Sequence, residues 1–174
     1  MLPETTLAAF LTLLPLAWGT WRGWTVHALL ITAGLGLAAA GAAAAFLLAR
    51  TLRLTRYHDR AYHDTYYVVA HGHWLLSLAL AFAALAALHW AAHRFATPLA
   101  PRLTRIAVWA FTLGLLAPQI LRVIVIAPPR RYVDYEPWVQ ILLALNTAGS
   151  LVCTLALLVL LPLPLYALLF RRAR

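Results

Sequence analysis

The chain has 174 residues, is 64% hydrophobic with a mean hydropathy of +0.81, and carries a net charge of +9. That apolar share exceeds the roughly half found in soluble domains and excludes an ordinary soluble enzyme. All fourteen basic residues are arginines, set mostly at the ends of apolar runs, so the charge speaks for loops at lipid headgroups and against nucleic acid.

The expected fold class is all-α: a polytopic transmembrane helical bundle of four to five spans. Residues 1–174 read as one membrane domain, with 1–24 an extra first helix and turn. Cys153 is the single cysteine and excludes a disulfide or a CxxCH haem attachment. The start lacks a basic segment and an AxA site, so no cleaved signal peptide is expected.

In chain order, Leu7 to Trp18 forms a short first helix interrupted by Pro15, and Gly19 to Trp24 a tight turn. Trp18, Trp21 and Trp24 there suit the membrane–water interface. Thr25 to Ala49 is a second helix in which Gly34, Gly36 and Gly41 let a neighbour approach closely. His27 at its start reads as an interfacial histidine. Arg50 to Asp64 repeats arginine every three or four residues and predicts a short interfacial helix.

Tyr66 to Ala92 is a third helix carrying His71 and His73. Ionisable groups inside a membrane helix mark a functional site. Two residues apart on a helix they lie about 200° apart, so they cannot ligate one metal together. They either serve two separate sites or hydrogen-bond neighbouring carbonyls. His89 lies about 24 Å beyond His73 at ~1.5 Å rise per residue, near the other membrane face. His89 and His93 have a spacing able to hold metal, but with no further ligand close in sequence they read as interfacial hydrogen-bonding groups.

Thr97 to Pro101 is a turn. Arg105 to Ile126 is a fourth helix, kinked at Pro118, with Arg122 snorkelling or facing protein. Ala127 to Pro137 is a loop presenting Arg130 and Arg131, a pair suited to carboxylates or phosphates. Trp138 to Phe170 is the last helix, bent or broken by Pro162 and Pro164. If helices three and four are antiparallel spans, the Arg130–Arg131 loop shares a membrane side with His63 and the near end of the histidine pair. Arginines are nearly balanced between the two sides, so orientation stays open; with Arg130 and Arg131 tied up by a ligand, the side of Arg22, Arg94, Arg102, Arg105 and the three C-terminal arginines is favoured as cytoplasmic.

Two histidines on opposite faces of one helix, below two arginines, match a planar iron cofactor with acidic arms. Haem has that shape: imidazole takes the iron and arginines meet the propionates. His63 and Asp64 stand above, where a nitrogen–oxygen pair suits a hard divalent ion.

The stretch H-D-T-Y-Y-V-V-A-H-G-H-W from His63 to Trp74 resembles the tenth-helix signature of haem-copper oxidase (cytochrome c oxidase) subunit I. Leu88 to Trp90, Pro118–Gln119, P-R-R-Y-V-D-Y from Pro129 to Tyr135, and N-T-A-G-S from Asn146 to Ser150 are also similar to that family. The likeness runs from about Thr25 to the C-terminus and is equivalent to the last four helices of a longer subunit. It implies His71 as axial ligand of the oxygen-binding haem and His73 as one ligand of the low-spin haem. It further implies Arg130 and Arg131 at the propionates, and His63 with Asp64 in a magnesium or manganese site.

The departures are Gly72 in place of an aromatic, no copper ligands, no second low-spin ligand and no proton-channel glutamate. The chain is therefore expected to be a haem-binding subunit of a respiratory, oxidase-type electron-transfer complex, resembling a truncated subunit I. The alternative is a cofactor-free structural or assembly subunit. Oxygen reduction is expected only if partner chains supply the missing ligands. The implied partners are the bilayer and other oxidase or respiratory subunits, or a second copy, in a bacterial cytoplasmic (inner) membrane.

Overall fold

The computed structural model describes residues 2–54, 61–97, 100–125 and 137–170, which form six α-helices. These are α1 (Leu2–Trp21), α2 (Val26–Leu54), α3 (Ala61–Phe95), α4 (Pro101–Val125), α5 (Pro137–Leu160) and α6 (Pro162–Phe170). Among the described residues, Val26–Ala43, Trp74–Phe95 and Leu143–Phe170 are long and apolar enough to cross a bilayer, and Leu7–Trp21 is a shorter apolar stretch. The chain is an all-α membrane bundle.

α2 lies between α1 and α3, α4 packs on α5, and smaller contacts join α1 and α2 to α4 and α6 to α3. Without a hydrophobic force between helices in lipid, close approach must come from small residues and fitted packing. Two glycines do this on opposite faces of α2. A Cβ at Gly36 would collide with the Leu11 carbonyl and Thr12 Cα of α1, and one at Gly34 would come 3.1 Å from Phe82 Cβ of α3. Pro15 sits four residues after Leu11 and lacks the N–H that would bond that carbonyl. α1 continues through Pro15, and Gly36 packs against the carbonyl that the proline leaves without a backbone donor.

The α4–α5 contact repeats the device: a Cβ at Gly114 would lie 2.7 Å from Cys153 Sγ and 2.9 Å from the Gly149 carbonyl. Phe82 and Phe111 meet in the middle of the bundle with ring centroids 5.2 Å apart. Trp109 Nε1 donates to Thr20 Oγ1 at 3.0 Å and ties α4 to the end of α1.

The ends of α2 and α3 differ from the sequence expectation, and the break in the last helix agrees with it. Of the stretch Arg50 to Asp64, expected as a separate interfacial helix, residues 55–60 lie outside the described residues and the two ends belong to the flanking helices. α2 runs on to Leu54, and α3 already starts at Ala61. The segment from Ala49 to Leu54 contains neither glycine nor proline, so nothing ends α2 there. The last helix is broken at Leu161, with Pro162 as the first residue of α6. Proline fits a first helical position because its missing N–H would have been unpaired anyway.

Candidate functional site

The histidine motif lies on α3, which is continuous from Ala61 to Phe95. His63, Asp64, His71 and His73 therefore have helical backbone, while their side chains lie outside the described residues. Arg130 and Arg131 also lie outside the described residues.

The register of α3 still distinguishes the two histidine positions. Its packed face runs through Leu75, Phe82, Leu85, Ala86 and His89, all buried, whereas Leu76 and Leu80 are exposed at 44% and 72%. At about 100° per residue, position 71 is in line with Leu75, Phe82 and His89. Position 73 is in line with Leu80 and Ala84, both exposed. Positions 71 and 73 thus fall in register with different faces of α3.

The opposite end of the bundle carries a second set of polar groups. His89 is 8% exposed, and its Nε2 donates to the Leu160 carbonyl at 3.0 Å. A carbonyl only accepts, so Nε2 holds the proton in this pair. The partner is explained by Pro164, which stands four residues after Leu160 and has no N–H for that oxygen. His89 supplies the donor that the proline removes. This bears out the hydrogen-bonding reading of His89.

His93, four residues on, turns elsewhere: its ring lies 5.4 Å from that of His27 on α2. His27 Nε2 is 3.2 Å from Thr25 Oγ1. These three histidines and Arg105 line an open cavity of about 360 Å³. From the sequence, His93 pairs with His89 at a spacing of four and His27 stands alone; the structure instead brings His93 beside His27. The signal that joins them is topological, since the start of α2 and the end of α3 share one membrane side. Among the described residues, no group of three or more His, Cys, Asp or Glu is placed to hold a metal ion.

The sequence model of the family described as cytochrome c and quinol oxidase polypeptide I matches residues 3–152. The chain belongs to that family. The matched stretch takes in α1 and stops within α5, before α6. His63, Asp64, His71, His73, Arg130 and Arg131 all fall inside it. No solved structure matches the chain. The oxidase polypeptide I membership agrees with the helical membrane architecture and makes oxidase-type subunits the natural company of the bundle.

Proposed function

We propose that this oxidase polypeptide I relative is a haem-binding, electron-carrying membrane subunit of a respiratory complex. The observation that carries the reading is the H-D-T-Y-Y-V-V-A-H-G-H-W stretch on a continuous helix of a chain from this family. The donor chemistry fits the group. Two neutral imidazoles about 200° apart can each offer a lone pair to a different iron, and neither competes for the other's. Arg130 and Arg131 would take the propionates, as guanidinium groups take carboxylates in two-point contacts. His63 and Asp64 would hold magnesium or manganese with waters completing the shell.

Haem, when bound, supplies a one-electron iron couple whose potential follows its axial ligand and surroundings. The chain's own part is to hold the imidazoles in fixed register and to keep the porphyrin away from water. Gly72 between them leaves that region without the aromatic wall of the wider family. Position 73 shares its helix face with exposed Leu80 and Ala84, so a ligand there would complete its shelter with a partner subunit or a second copy. Full oxygen reduction is assigned to such an assembly, with partner chains adding the copper ligands. The membrane would be the bacterial cytoplasmic membrane, where respiratory oxidases work.

Single variants test the reading. His71→Ala and His73→Ala should each remove part of the Soret absorption of the purified protein while far-ultraviolet circular dichroism stays helical. A Soret band untouched by both substitutions would refute the ligand assignment.

A further inference from the structure

We propose that the cavity at the end remote from His71 and His73 binds a phosphate-bearing anion, with Arg105 as its principal contact. The inference is independent of the haem reading. His71 and His89 are 18 residues apart on α3, or about 27 Å at ~1.5 Å per residue.

The cavity is enclosed by the start of α2, the end of α3, the start of α4, and Pro164 and Ala167 of α6. α6 lies beyond the stretch matched by the oxidase family, so this wall is not part of the matched sequence. The polar lining is Arg105, His27, His89 and His93 with the hydroxyls of Thr25 and Thr104, and Arg105 is its fixed cation. No Asp or Glu occurs between residues 5 and 58, 65 and 133, or 137 and 174, so the segments that build the cavity carry no carboxylate.

Arg105 is only partly satisfied. Its Nη2 donates to the Gly23 carbonyl at 3.4 Å, a long contact. Its Nε is shielded from solvent and has no hydrogen-bond partner among the described residues. Nε is too shielded for an anion to reach, so an anion in the cavity would meet the Nη groups, where a planar guanidinium offers a two-point contact.

The depth of the site favours phosphate. Trp18 and Trp21 at the end of α1 and Trp24 in the following turn are 51%, 74% and 39% exposed, where indoles mark the headgroup level. Arg22 stacks over Trp18 and Trp21 at 5.1 and 5.8 Å. Phosphates of the bilayer lie at this level, and basic clefts between helices take them. Val26, Ala92 and Leu163 give the same cavity an apolar side, which suits a phosphate that carries a glycerol and acyl chain.

The test uses the full chain in detergent and native mass spectrometry. Phosphatidylglycerol, phosphatidylcholine and inorganic phosphate are the probes. Wild type should retain phosphatidylglycerol over phosphatidylcholine. R105A should bind phosphatidylglycerol at least about tenfold more weakly, with R105K losing less because it keeps the charge and loses the fork. Displacement by inorganic phosphate would assign the site to the free anion, and its failure to displace would assign it to the lipid; both support the anion site. Equal binding by wild type and a fully helical R105A, or no preference over phosphatidylcholine, would overturn it. If R105A does not fold, H93Q decides: weakened binding supports the site and unchanged binding overturns it.

Discussion

His89 illustrates how a single residue acts through a proline 75 positions away. Pro164 withholds an N–H from Leu160, and the His89 Nε2 proton takes its place at 3.0 Å. His89→Leu should therefore lower stability by about 1–3 kcal/mol, the usual cost of a buried carbonyl left without a donor. Adding Pro164→Ala returns a backbone donor and should recover much of the loss in a thermal melt. Losses that simply add would show that the two residues are not coupled. At the motif, Arg130→Ala with Arg131→Ala should lower the haem retained through purification, read by absorbance per chain. Unchanged haem content would remove the propionate role. The histidine motif was legible residue by residue because a polar stretch running into an apolar helix is rare and specific. The His27–His93 pair was not, because His93 finds a partner in sequence only in His89, and His27 alone looks interfacial.

Helices show a similar division. The tight approach at Gly34 and Gly36 was legible from small residues in an apolar run. Which neighbour each glycine meets was not, since opposite faces of one helix receive different partners. Gly36→Leu should force α1 from α2 and cost about 1–3 kcal/mol, as overpacking does. Reversible unfolding in mixed micelles checks this, and a stability equal to wild type would contradict the close contact with Leu11. The break at Leu161 was legible from Pro162 and Pro164. The start of the interfacial helix expected at Arg50 to Asp64 was misplaced because arginine spacing alone marks a face, while helix ends need a cap or a breaker. Arg50 and Arg53 instead extend α2.

At the scale of the whole molecule, helical class, membrane residence and family were all legible in the sequence, since long apolar runs and the α3 motif are local properties. The cavity formed by α2, α3, α4 and α6 was not, because it depends on which helix ends converge. The α3 register divides the bundle into a packed side in line with position 71 and an open side in line with position 73. A chain of this kind should consume no oxygen when purified alone, and oxygen uptake should appear only in a complex that also contains copper. Uptake by the isolated chain would contradict that division of labour. The most direct test of the central claim is the haem and iron content of the purified wild-type protein. A Soret band with iron in proportion to the chain is expected; a colourless, iron-free protein with full helicity would contradict haem binding.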